Sequence, residues 1–326
     1  MTLDSLQFSD LILMDDKAFL KGTPELGQQM QLITPEMVHP NELRELIDTV
    51  ENSFSSHRDG VENIRIGFGK LSFRVANFSG VDGRAYFLRR LAEKVPTMQE
   101  LGFDKGLCDW LLHKDRQKGL VLFCGSQASG KTTSAAAFIA SRLALYGGHA
   151  VSWENPVEMP LAGPHGEYGY AFQTQVRSEA ELAAHIERSH RFSSPNIVYV
   201  GEIRSKHAAS EVLRVSLGSA NQIVVSTIHG MGIITALERL MTWAAELDSD
   251  VASQNLAHSL LAIVYQELQT ENDTTIMKTP ETLLVPFSSF SRSLRSKIRD
   301  GRLASLAEEI TLQRNKVKFQ GMGAIS

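Results

Sequence analysis

The stretch Gly125–Thr132, GSQASGKT, constrains this chain more than any other. It fits G-x-x-x-x-G-K-[ST], the pattern of a loop that wraps the phosphates of a nucleoside triphosphate. The apolar run Leu120–Cys124 leads into it and predicts a buried strand. Ala135–Tyr146, rich in Ala, Leu and Ile, predicts a helix after it. In that context the backbone N–H groups of the turn point inward, and the helix N-terminus adds partial positive charge. The cradle residues are Gly125, Ser126, Gln127, Ala128, Ser129, Gly130, Lys131, Thr132 and Thr133. Lys131 would reach the β- and γ-phosphates of ATP or GTP, and the Thr132 hydroxyl would hold Mg²⁺.

With 326 residues the chain has room for two domains. A formal net charge of -4 provides no global basic field for nucleic acid or an acidic membrane, so no direct nucleic-acid partner is expected. Two cysteines, Cys108 and Cys124, fit a reducing compartment and cannot make a four-cysteine zinc site. The first residues, MTLDSLQFSD, lack the pattern of a signal peptide, and no apolar run has the length of a membrane span. The expectation is a cytoplasmic enzyme without a transmembrane segment.

Residues 1–105 read as a small mixed domain, with a linker at about 96–106, and residues 106–326 as a second domain. In the first, Asp10–Met14 predicts a strand. Pro40–Phe54 predicts a helix capped by Asn41, and 64–69 and 71–76 predict two strands. Arg84 to Val95 carries Arg84, Arg89, Arg90 and Lys94; a charge cluster of this kind ordinarily marks a solvated helix face. From Gly119 onward short apolar strands alternate with helices. Strands are expected at 150–153, 196–200 and 222–227, and helices at 178–191, 206–217 and 234–247. This alternation predicts an α/β fold with a mostly parallel sheet covered on both faces.

Ligands of such sheets sit at the carboxyl ends of the strands. The phosphate loop, Glu154, Glu202 and His229 all fall there. Hydrolysis of a triphosphate needs a cradle, a metal, a group to orient or deprotonate water, and charge compensation on the transferring phosphoryl. Glu202 suits the acidic position that holds hydrated Mg²⁺. Glu154 suits polarisation of the attacking water, with Glu158 as its competitor beyond Pro156. His229 suits a hydrogen bond to the γ-phosphate. Arg204 is the arginine adjacent in sequence to these strand ends. His185 and His190 read as surface residues.

These residues resemble the type II/type IV secretion (traffic) ATPase superfamily, in layout its PilT-like and DotB-like branches. The family's acidic box, usually TIEDPIE, is similar to VSWENPVE here, which places the catalytic glutamate at Glu154. DVILVGEMRD is similar to NIVYVGEIRS, which places the second glutamate at Glu202, and GTLHT is similar to STIHG, giving His229. SLRSKIRDG at 293–301 resembles AIRNLIREG. FRVANFSGVDGRAYFLRRL at 73–91 resembles FRVNVFRQRGGLAAVLRRI.

The resemblance implies a PAS-like first domain, a RecA-like second domain, and a homohexameric ring with ATP between domains and neighbouring subunits. It also implies partners at the inner membrane: the platform or coupling proteins of a secretion, conjugation or type IV pilus machine, with the ATPase peripheral to it. Asn155 and Asn196 stand where the family has Asp, which predicts two charges missing near the metal. Ser205 replaces a further Asp, and Ser79 and Val81 replace arginines. Arg74, Arg84, Arg89 and Arg90 remain as candidate arginine fingers. Three other readings stay open: a pilus-retraction ATPase in particular, a nucleic-acid-translocating RecA-like ATPase, and a slow nucleotide-binding structural subunit.

Overall fold

The computed structural model describes residues 2–55, 63–81, 83–188, 194–218, 221–249, 251–271, 274–278, 280–321, 323 and 325. The chain divides into two compact units, Met1–Lys94 with Glu158–Pro160, and Val95–Val157 with Leu161–Ser326.

The first unit is one antiparallel sheet and one helix. Its elements are β1 (Asp10–Met14), β2 (Ala18–Lys21), β3 (Gln31–Leu32), α1 (Pro40–Ser55), β4 (Asn63–Phe68), β5 (Leu71–Gly80) and β6 (Gly83–Arg90). The strand order is β3-β2-β1-β6-β5-β4. Leu71, Phe73 and Val75 of β5 are buried while Ser72, Arg74 and Ala76 between them are half-buried, the period of two that a one-sided sheet demands. Leu46 and Val50 of α1 share the resulting core with Phe73, Val75 and Leu88.

Two expectations are corrected here. Pro40 is the first residue of α1, where its fixed φ and missing N–H suit a helix start, so Asn41 lies inside the helix and not at its cap. The Asn41 N–H instead donates to Nδ1 of His39 at 3.2 Å. The Arg84-to-Val95 cluster is no helix face: Gly83–Arg90 is a strand paired antiparallel with both β5 and β1. Tyr86, Phe87 and Leu88 favour extended backbone, and cross-strand pairing with β5 outweighs the charge pattern.

The second unit opens with α2 (Lys105–Leu111), β7 (Gly119–Gly125), α3 (Lys131–Tyr146), β8 (Gly148–Glu154), β9 (Gly163–His165) and β10 (Gly169–Gln175). It continues with α4 (Glu179–Glu187), β11 (Ile197–Ile203), α5 (Lys206–Val215), β12 (Ile223–His229), α6 (Ile233–Asp248), α7 (Ala252–Ser259) and β13 (Leu260–Tyr265). The hairpin β14 (Leu268–Glu271) and β15 (Thr274–Met277), then β16 (Glu281–Leu284), α8 (Arg292–Arg299) and α9 (Leu306–Gln320), complete it. The eight-stranded sheet runs β16-β13-β7-β12-β11-β8-β10-β9. Its six central strands are parallel, and antiparallel β16 and β9 close the two edges. Every residue of β7 is buried, as a strand covered on both faces requires.

The strands expected at 150–153, 196–200 and 222–227 and the helices expected at 206–217 and 234–247 fall within a few residues of β8, β11, β12, α5 and α6. Of the helix expected at 178–191, the structure shows Glu179–Glu187, capped by the Ser178 hydroxyl on the Glu181 N–H; His190 lies outside the described residues. Within 96–106, Met98 and Phe103 are buried, and the stretch groups with the second unit. Among the described residues, no helix is long and apolar enough to cross a membrane.

Asn196 requires a larger correction. It precedes the first residue of β11, while Glu202 stands near that strand's far end. At about 3.3 Å per residue the two are roughly 20 Å apart, so Asn196 removes no charge from the neighbourhood of Glu202. Its Oδ1 accepts the His149 N–H at 3.0 Å and ties the starts of β8 and β11 together. This tie needs Gly148, whose φ is +83° and where an added Cβ would stand 2.2 Å from Asn196 Oδ1. Gly148→Ala is therefore expected to destabilise the protein by about 2 kcal/mol, from left-handed strain plus the clash. Urea denaturation measures it; an unchanged midpoint contradicts the role given to this contact.

Candidate nucleotide-binding site

The register of the parallel sheet assembles the site. His229 at the end of β12 is the direct partner of Gly125 at the end of β7. Trp153 of β8 pairs with Val200 of β11, so Glu154 and Gly201 follow side by side. A Cβ on Gly201 would stand 3.0 Å from Glu154 Cγ, so glycine here lets the glutamate lie flat against β11. The Thr227 hydroxyl donates to the Gly201 carbonyl at 2.7 Å and fixes that strand end.

The loop after β7 has the shape of an anion cradle. Ala128 has φ +59° and Gly130 φ +83°, left-handed turns of the kind that bring successive N–H groups onto one concave side. A Cβ on Gly125 would stand 2.3 Å from the Gln266 carbonyl and 2.5 Å from Ser129 Oγ, so only glycine fits. Gln127 and Ala128 form the exposed tip, while Ser129 is buried. Ser129 Oγ has no hydrogen-bond partner among the described residues, as a hydroxyl waiting for an anion would. Lys131 is only 6% exposed, and its Nζ donates to the Ser126 carbonyl at 2.6 Å. These residues fit a bound triphosphate: the loop N–H groups and Lys131 would hold it, and Thr132 and Thr133 open α3 beside it.

Glu154 is 2% exposed. Its Oε1 accepts from the Ser152 hydroxyl at 2.7 Å and from Gln173 Nε2 at 2.8 Å, so its orientation is set by neighbours on β8 and β10. Glu202 is the hub of a charged cluster. Its Oε1 stands 2.8 Å from His229 Nε2, and its Oε2 accepts from Arg204 Nε at 2.6 Å. Burial is the largest influence on the His229 imidazole and lowers its pKa from 6.5. The Glu202 carboxylate opposes this, and the Lys131, Arg204 and Arg239 cations lower it further. The lowered pKa favours the neutral ring. Among the described residues no group of three His, Cys, Asp or Glu could hold a metal. Mg²⁺ here would instead take the Thr132 hydroxyl, phosphate oxygens and water, with Glu202 close by, as that ion commonly does.

Sequence reasoning missed two residues. Arg239 of α6 donates from Nη1 to the His229 carbonyl at 3.2 Å, so Arg204 is not the sole arginine at these strand ends. Its signal was its position on the helix that follows the His229 strand. Gln266, one residue past β13, is 1% exposed and donates from Nε2 to the Ser129 carbonyl at 2.6 Å. Its own N–H donates to the Cys124 carbonyl at 2.9 Å. Gln266 therefore splints the cradle from a strand some 140 positions away, and no local pattern announces it. Glu158 groups with the first unit, where Arg74 meets it at 2.7 Å. Ser205 caps α5 through the Ala208 N–H at 3.2 Å, doing the local work of the Asp it replaces.

The four candidate arginines of the first unit do not form one group. Arg74 of β5 and Arg89 of β6 are register partners, and Arg65 of β4 pairs with Arg74. These three lie in a row on the sheet face opposite α1. Arg84 and Arg90 alternate with Arg89 by the period of two and lie on the other face. There Arg84 meets the Tyr86 hydroxyl at 3.3 Å, and Arg90 donates to the Leu6 carbonyl at 2.9 Å. Arg89 also pairs with Asp10 at 3.1 Å.

Parallel strands ending in a glycine-rich cradle, two carboxylates and a histidine have the layout of a phosphate-loop α/β protein. Residues 44–312 match the family described as Type II/IV secretion system protein, and the chain belongs to it. The type IV pilus ATPase PilU of Pseudomonas aeruginosa is 28% identical over 242 residues, 72% of this chain and 61% of PilU. Type II secretion system protein E of the same organism is 29% identical over 217 residues, 65% of this chain and 40% of that protein. The chain thus spans less than two thirds of the length of these relatives. Its fold is that of the pilus retraction motor PilT, crystallised with bound ADP, at a TM-score of 0.72 and 20% identity over 95% of this chain and 87% of that one. The Legionella pneumophila ATPase DotB is similar at 0.68 and 18%, over 94% and 85%.

If Gln266 splints the cradle, Gln266→Leu should weaken nucleotide binding about tenfold, since one buried hydrogen bond contributes on the order of 1 kcal/mol. The melting temperature should move little, because leucine keeps the volume. Titration with a fluorescent nucleotide checks this, and unchanged affinity would refute it.

Proposed function

We propose that the chain is a Mg²⁺-dependent ATPase subunit of a hexameric motor that powers a type IV secretion, conjugation or type IV pilus machine. In this reading residues 1–105 are a PAS-like domain and 106–326 a RecA-like domain. The ring is cytoplasmic and peripheral to the inner membrane, bound there through platform or coupling proteins. One observation carries the ATPase reading: a buried, oriented carboxylate, Glu154, ends the third strand over from a glycine-rich cradle with its own lysine. Family membership supports the machine.

In the mechanism Lys131 exchanges the Ser126 carbonyl for the β- and γ-phosphates. ATP supplies the scissile phosphoanhydride, and Mg²⁺ would neutralise its oxygens from Thr132 and the Glu202 side. Glu154 orients the attacking water and takes its proton. Ser152 and Gln173 fix Oε1 and with it the orientation of the carboxylate. His229 stands beside Glu202, with Nε2 2.8 Å from Oε1. Arg74 and Arg89, on one face, are the finger candidates, and Arg65 joins them. Arg84 and Arg90 become shape-keeping residues of the opposite face. The relocation of Asn196 removes half of the motive for a slow structural subunit.

Lys131→Ala should lower phosphate release by at least about a hundredfold without unfolding the protein. Equal turnover by mutant and parent would sink the site. Mixing Lys131→Ala subunits with Arg74→Ala or Arg89→Ala subunits should restore part of the activity, since some interfaces regain both groups. Arg84→Ala alone should stay near parent activity. Full activity in both Arg74→Ala and Arg89→Ala alone, or a full rate from monomers, contradicts the ring.

A further inference from the structure

At the other end of the central sheet, by the amino ends of β8, β11 and β12, lies a cavity of about 320 Å³. Strand length puts it roughly 20 Å from the phosphate loop. Lys114, Gln117, Arg142, Tyr146, Asn196 and Asn221 contribute its polar lining, and among the described residues no carboxylate lines it. Arg142 is only 6% exposed. One nitrogen, Nη1, donates to the carbonyls of Leu111 and His113 at 3.2 and 3.3 Å. Its guanidinium also stacks 5.1 Å from the Tyr146 ring. Among the described residues Nε and Nη2 of Arg142 make no hydrogen bond, and neither Arg142 nor Lys114 has a carboxylate partner.

A buried cation without a counter-ion is costly. Burial, opposed in part by Tyr146, pushes the Arg142 guanidinium down to about 10. Two carbonyl dipoles offset part of the cost, and an anion in the cavity would offset more. Asn196 brings a neutral amide, not a charge, beside these cations.

We propose that this cavity is a second anion site, taking a small phosphate-class oxyanion such as phosphate or pyrophosphate. Two cations match a dianion better than a monocarboxylate. The free edge of a guanidinium fits two oxygens of one phosphate, and an ammonium and side-chain amides supply further donors. The volume lies at the small end of ligand cavities, enough for pyrophosphate and tight for a whole nucleotide. The site is independent of the phosphate loop and stands whether or not the chain hydrolyses ATP.

The test uses the full chain carrying Lys131→Ala, so that the phosphate loop contributes little. Pyrophosphate is titrated calorimetrically at ionic strength held constant with potassium chloride. Binding should persist in Lys131→Ala. Adding Lys114→Gln should weaken it about tenfold, and adding Asn196→Asp, which keeps the acceptor for His149 but brings a carboxylate to the cavity, should weaken it at least as much. Arg142→Lys should also weaken it. If that variant does not fold, the Lys114 and Asn196 variants decide, because neither side chain is a buried cation. Loss of all binding in Lys131→Ala would assign the anion to the phosphate loop and overturn the proposal. Parent-like affinity in both Lys114→Gln and Asn196→Asp would overturn it too.

Discussion

The structure depends on the parallel register of the central sheet. Because β12 pairs with β7 without a shift, His229 ends opposite Gly125. Because β11 pairs with β8, Glu154 ends against Gly201. A slip of one residue would turn each strand-end side chain to the other face and separate cradle from carboxylate. The apolar strand interiors hold the register through the core of Leu122, Val151, Val198, Val200 and Val224. Chemistry at the strand ends is thus positioned by packing in the middle.

Much of this was legible in the residues. Strand, glycine-rich turn and helix at 119–146 are written locally, since a positive-φ turn and an apolar strand each leave a short-range signal. So are the positions of Glu154, Glu202 and His229 at strand ends, because apolar runs of buried parallel strands stop abruptly. Non-local relations were not legible. Gln266 reaches the cradle through the sheet order, and Arg239 reaches His229 through a helix turn. Asn196 and Glu202 share one sequence motif, but the extended strand between them carries them to opposite ends.

The arginines of the first unit show a related limit. Four positive residues within twenty positions look like one cluster when the backbone is taken as a helix. The extended backbone of β6 separates Arg89 from Arg84 and Arg90, while pairing between strands joins Arg89 to Arg74 and Arg65. Charge patterning alone therefore could not say which residues act together. The period of the backbone decides it, and tyrosine, phenylalanine and leucine between the charges set that period.

The central claim is that Glu154, held by Ser152 and Gln173, is the group that drives water onto the γ-phosphate. The most direct measurement is the identity of the nucleotide retained by Glu154→Gln. The protein is incubated with ATP and Mg²⁺, desalted rapidly and quenched in acid, and the retained nucleotide is separated by chromatography. The account predicts mainly ATP on Glu154→Gln and mainly ADP on the parent. ADP on Glu154→Gln at the parent's rate, with ATP retained by Glu158→Gln instead, would contradict it.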